Sequence, residues 1–154
     1  MIKRYLILLS VTLCQIILYS VNVDAGEFFE RNNLAIDGYD PVAYFTEHKP
    51  MQGSTQFRFD FQGSTFQFAS AAHRDAFALN PATYAPQYGG YCAYGVAKGN
   101  KATTDPAAFT VVGDKLYLNY SETIHSQWLL DIPGYVQKAD ANWPEVRKQT
   151  KVKE

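Results

Sequence analysis

The sequence predicts an α+β fold in which small antiparallel β-hairpins carry helices packed on one side. Three observations carry that expectation. Gln56–Phe61 alternates, placing Phe57, Phe59 and Phe61 on one face and Arg58 and Asp60 on the other. Gln62-Gly63-Ser64 turns the chain and Thr65–Phe68 returns as a partner strand. The same pattern recurs in Phe109–Val112, the turn Gly113-Asp114 and Lys115–Leu118. Each hairpin leads to a serine suited to cap a helix, Ser70 and Ser121.

The first residues read as an export signal rather than as part of the fold. Met1–Arg4 is positively charged, Tyr5–Val21 is mostly apolar, and Val23-Asp24-Ala25 offers small residues for cleavage. The apolar stretch is at the low edge of what spans a bilayer. Residues 1–25 are therefore expected to be a cleaved signal peptide. The rest is expected in the periplasm or outside the cell, with no stable membrane span. Cleavage removes Lys3, Arg4 and Asp24, so the balance moves from 14 − 15 to 12 − 14, a net charge of −2. A chain so balanced lacks the footprint of a nucleic-acid binder. The basic tail from Arg147 to Lys153 reads as the solvated end of a helix.

Residues 26–154 are the size of one domain. A helix is predicted from Ser70 to Leu79, ended by Asn80-Pro81, and another after Ser121 carrying Ile124, Trp128 and Leu129 on one side. A last helix is predicted from Pro133 or Gly134 toward Lys148, with a break at Pro144. The hairpin–helix units suggest an internal pseudo-repeat. Gly63–Phe68 parallels Gly113–Leu118, and Phe77 parallels Trp128 after a one-residue insertion. Shared hairpin chemistry is the competing account.

Chemistry points first to Cys92. With Cys14 in the signal, Cys92 has no cysteine partner in the mature chain. It must be a buried hydrophobe, a metal ligand, a site of intermolecular pairing or a redox thiol. Gly89-Gly90 before it permits close backbone approach. The candidate co-ligands are His73, Asp37, Tyr39 and His48. Against them stand plainer roles: a half-buried histidine beside Phe77, an Asx-type turn in Asp37–Pro41, and a surface histidine in the turn Thr46–Pro50. Thiolate with imidazole suits copper or zinc, although the chain holds no Cys-x-x-Cys or His-x-His.

Longer motifs resemble a known family. Asp40-Pro41-Val42, Gly63–Ser70, Arg74, Phe77 and Asn80–Tyr84 resemble the YHS domain, a relative of the TRASH metal-handling domains. The stretch from Ala35–Phe45 through Tyr84–Ala93 and Gly113–Asn119 to Asn142-Trp143-Pro144 is similar to the exported bacterial YHS-domain (seleno)protein group. In thiolate-rich YHS and TRASH modules, cysteines follow Asp-Pro-Val, follow the second strand, and recur four residues later. Ala43, Ala69 and His73 hold those places here, so a closed cysteine-rich zinc site is not expected. The resemblance instead implies a reactive sulfur at Cys92.

Three functions follow as expectations. The first is transition-metal binding, copper before zinc, through Cys92 with His73, Asp37, Tyr39 or His48, the partner being a metal ion and a metal-delivery protein. The second is single-cysteine thiol redox chemistry with an external thiol partner. The third is a non-catalytic interaction scaffold.

Overall fold

The two hairpins form where the alternation places them. A computed structural model describes residues 27–154, and the expected export signal lies outside these residues. A short hairpin opens the described chain, with β1 (Glu30–Arg31) paired to β2 (Leu34–Ala35). The turn Ile36–Gly38 and α1 (Ala43–Thr46) follow. Then come β3 (Ser54–Phe61), β4 (Ser64–Phe68), α2 (Ala71–Leu79) and α3 (Pro81–Tyr84). After the turn Gln87–Gly90 lie α4 (Ala93–Ala97), β5 (Asp105–Val112), β6 (Lys115–Asn119), α5 (Glu122–Leu129) and α6 (Ile132–Val146). Among the described residues, each of three sheets is a two-stranded antiparallel hairpin, and the fold is α+β.

The serine caps lie where local chemistry requires them. Ser70 Oγ accepts the His73 N–H at 3.1 Å, and Ser121 Oγ accepts that of Ile124 at 3.3 Å. The hairpins also share one hydrogen-bonding plan. Ser54, Phe61, Ser64 and Phe68 occupy the register positions of Asp105, Val112, Lys115 and Asn119, a constant offset of 51 residues. Both bulge in the same place, between Ser54 and Arg58 and between Asp105 and Phe109. The offset holds through the caps to Phe77 and Trp128, so the one-residue insertion is unnecessary in the backbone. The apolar pattern, however, is offset by 50 residues, and a one-residue slip turns side chains to the other face.

That slip produces two cores. Phe66, Phe68 and Phe77 pack with Phe28, Val42, Tyr44, Leu116 and Leu118, and Phe57, Phe59 and Phe61 lie against them. Trp128 instead packs with Tyr117, Tyr88, Val96, Ala139 and Val146. β6 serves both, because Leu116 and Leu118 point one way and Tyr117 the other. Phe77 and Trp128 are fully buried, each burial contributing roughly 1.5–3 kcal/mol or more.

Two expectations at the C-terminal end are corrected. Pro144 lies inside α6 without breaking it. The basic tail is mostly exposed, as expected, but it is not helical beyond the cap of α6 at Arg147. It folds back as a strap, with the Lys153 N–H donating to Lys101 O at 2.9 Å and the Thr103 N–H donating to Lys153 O at 3.0 Å. Lys101 Nζ also donates to Arg147 O and Gln149 O, which otherwise lack partners past the end of α6. Among the described residues, no helix is long and apolar enough to cross a membrane.

The turn before Cys92 is tightly constrained. Tyr88, Gly89 and Gly90 all have positive φ, at 52°, 61° and 76°. The Gly89 carbonyl accepts the Phe29 N–H at 2.7 Å, and a Cβ on Gly89 would collide with the Glu27 carbonyl oxygen. Gly89→Ala is expected to destabilise the fold by roughly 2–3 kcal/mol, read as a fall in the denaturant midpoint.

Candidate functional site

Cys92 leaves that turn as the cap of α4. Its N–H donates to Ala102 O at 3.0 Å and its carbonyl accepts the Val96 N–H at 2.9 Å. Its Sγ accepts the Gly95 N–H at 3.3 Å, as an oxygen would at an ordinary helix cap. The thiol proton points to Asn119 Oδ1 at 3.9 Å, which also accepts the Tyr94 N–H at 3.1 Å. The residue is 2% exposed. Burial pushes the thiol up from its ordinary value, while the backbone N–H groups of Gly95, Tyr120 and Tyr94 pull it down. Cys92 nonetheless lines an open pocket of about 360 Å³ with Tyr94, Lys98, Tyr120, Ile124 and the strap residue Lys153.

His73 stands in a different setting. Its Nδ1 lies 2.6 Å from Asp40 Oδ2, and the carboxylate acceptor makes that nitrogen the donor. Its Nε2 lies 3.4 Å from Thr46 Oγ1. Asp40 is fully buried. One of its oxygens accepts the N–H groups of Val42 and Ala43 at 2.8 and 3.3 Å, and the other accepts that of Ala69 at 2.8 Å. This is the Asx-type turn that the Asp37–Pro41 cluster predicts, extended across the fold. Ala43, Ala69 and His73, the positions singled out by the resemblance, thus meet around one carboxylate.

The remaining candidates are engaged elsewhere. Asp37 Oδ2 pairs with Arg31 at 3.2 Å, and the Asp37 backbone has a φ of 56°. Tyr39 bridges to Gln52 and packs on the first core. His48 is exposed in a turn with φ 52°. None of His73, Asp37, Tyr39 and His48 is a hydrogen-bond partner of the Cys92 sulfur. Among the described residues, no three His, Cys, Asp or Glu side chains form a group able to hold a metal ion. The ligand set expected for copper or zinc is therefore not assembled.

Two functional neighbours escaped the sequence reading. Asn119 orients both Cys92 and Tyr94, and its only signal is a polar residue ending an apolar strand. Asp40 was visible as a turn former, but not as the partner of a histidine 33 residues away. Comparison with family models, characterised proteins and solved structures gives no match.

The Asp40 hub makes a direct prediction. Asp40→Asn turns an acceptor into a donor facing N–H groups and is expected to cost about 3 kcal/mol. His73→Gln keeps the backbone bonds to Asp40 and is expected to cost about 1 kcal/mol. Chemical denaturation of both variants checks the ranking.

Proposed function

We propose that this chain is an exported, YHS-like module whose working group is the lone Cys92 thiol, acting by exchange with an external disulfide rather than by holding copper or zinc. The observation that carries this reading is the setting of the sulfur, which caps α4 by accepting the Gly95 N–H at 3.3 Å on the wall of an open pocket. That N–H favours a thiolate, although burial outweighs it, and among the described residues no three His, Cys, Asp or Glu side chains form a group to hold a metal. The convergence of Ala43, Ala69 and His73 on Asp40 supports the family reading. It also supports a structural duty for His73.

The exchange is simple. The Cys92 thiolate attacks one sulfur of an external disulfide R–S–S–R′, forming Cys92–S–S–R as the old S–S bond breaks. R′–S⁻ leaves and takes up the proton that Cys92 lost. Cys92 is the free cysteine of the described residues, so an external thiol must resolve the mixed disulfide.

Reaction with an aromatic disulfide probe is expected to give one adduct by mass, absent in Cys92→Ser. Its rate is expected to climb with pH and reach half its maximum above the ordinary cysteine value, because only the thiolate reacts and burial holds the proton on. An unreactive thiol across the pH range of the folded protein would overturn the reading. So would stoichiometric Cu(I) binding that Cys92→Ser abolishes.

A further inference from the structure

Tyrosine and tryptophan are gathered into one continuous run in the second core. It starts at Tyr94, on the wall of the Cys92 pocket. Successive ring centroids are 5.0 Å apart from Tyr94 to Tyr135, 6.0 Å to Trp128, 5.3 Å to Tyr117 and 6.0 Å to Tyr88. From Tyr88 the run continues 5.8 Å to Trp143 and 6.5 Å to Tyr91. In the first core the aromatic pairs join Phe to Phe, or a tyrosine to Phe. Phenol and indole rings give up an electron far more readily than a phenyl ring does. Packing alone does not explain the choice at Trp128, whose buried Nε1 has no hydrogen-bond partner. A phenyl ring would avoid that penalty of about 1–3 kcal/mol.

Charge is graded along the run. Lys98 Nζ lies 5.1 Å from the Tyr94 centroid and 5.5 Å from that of Tyr135, and Lys138 Nζ lies 5.6 Å from Tyr135. Lys101 Nζ lies 4.5 Å from the Tyr91 centroid. A cation over a ring makes an electron harder to remove, so both ends are disfavoured resting places for a hole. In the middle, the Tyr88 hydroxyl donates to Asp140 Oδ1 at 2.8 Å. A phenol that loses an electron becomes a strong acid, and this carboxylate stands ready to take its proton.

We infer that these residues form a one-electron relay, which draws oxidising equivalents from the Cys92 pocket to Tyr88 and holds them there as a neutral tyrosyl radical. A peroxyl-class radical at the pocket takes one electron from Tyr94 and one H⁺ from the solvent, becoming a hydroperoxide. Electrons step outward through Tyr135, Trp128 and Tyr117 until Tyr88 has lost one. The Tyr88 phenolic proton then moves to Asp140. The sum is ROO• + H⁺ + Tyr88–OH + Asp140–COO⁻ → ROOH + Tyr88–O• + Asp140–COOH. None of this needs chemistry at Cys92, so it stands apart from the thiol reading.

The test is flash oxidation of the purified protein by photogenerated trivalent ruthenium polypyridyl, with electron paramagnetic resonance on frozen samples. The wild type and Cys92→Ser are expected to give the same single tyrosyl signal. Tyr88→Phe is expected to remove most of it, and Asp140→Asn to shorten its lifetime. Tyr117→Phe keeps the ring and its packing but removes one station, and is expected to lower the yield. Near-UV circular dichroism confirms that each variant keeps its aromatic packing. A signal spread over exposed tyrosines such as Tyr120 and indifferent to Tyr88→Phe would overturn the relay. A full yield in Tyr117→Phe would overturn its path.

Discussion

The first core depends on satisfying one buried carboxylate. Taking Asp40 out of water is costly, and the cost is offset only while its two oxygens meet matched donors. Three of those donors are backbone N–H groups, of Val42, Ala43 and Ala69, and the fourth is the His73 ring. Together they fix the chain entering α1, the chain leaving β4 and the first turn of α2. Val42 and Tyr44 follow the first contacts directly into the core, Phe68 precedes the third, and Phe77 lies one helical turn beyond the fourth. The positions of these side chains are thus set by hydrogen bonds made just before them in the chain. A module without a metal clamp at these places still has a polar centre that ties the same three segments together.

The second core depends on a different device, the two-faced strand β6. Alternation sends Leu116 and Leu118 to the phenylalanine core and Tyr117 to the tyrosine–tryptophan core. Asn119 ends the strand and turns its amide oxygen to Tyr94 and Cys92. β6 therefore carries the register of the first core to the pocket of the second. The strap completes the pocket wall because Lys153 is held by backbone bonds to residues 101 and 103.

Local determinants were legible in the sequence and distant ones were not. The hairpins and both serine caps depend on residues within a few positions, so periodicity and cap chemistry suffice to place them. The start of α4 and the strap depend on pairings made farther along the chain, Cys92 with Ala102 and Thr103 with Lys153. No local pattern encodes these. The candidate site failed for the same reason. Residue types suggested that Cys92, His73, Asp37, Tyr39 and His48 would share a site, but type does not give direction. Asp40 turns His73 toward its own carboxylate, and Arg31 holds Asp37 by the short first hairpin. Pro144 was misread because its effect on a helix was judged from its ring alone. The neighbouring turn is held from outside, where Asn142 Nδ2 donates to the Val96 and Ala97 carbonyls that end α4.

The pocket thiol and the aromatic run bear on each other through the protonation state of sulfur. Burial keeps the proton on Cys92 at neutral pH, and a protonated thiol is a poor nucleophile toward peroxides and disulfides. Slowness toward two-electron oxidants does not protect it from radicals, which abstract the hydrogen atom of an S–H directly. A thiol held protonated is thus exposed on that side unless another electron donor lies nearby. Tyr94 lines the same pocket, and its neighbours lead to a phenol with its own base. With both arrangements in place, a one-electron oxidant at the pocket has a route that does not end on Cys92. Such a thiol would respond to a disulfide partner that docks at the pocket and lowers the cost of ionisation, and would react slowly with other two-electron oxidants.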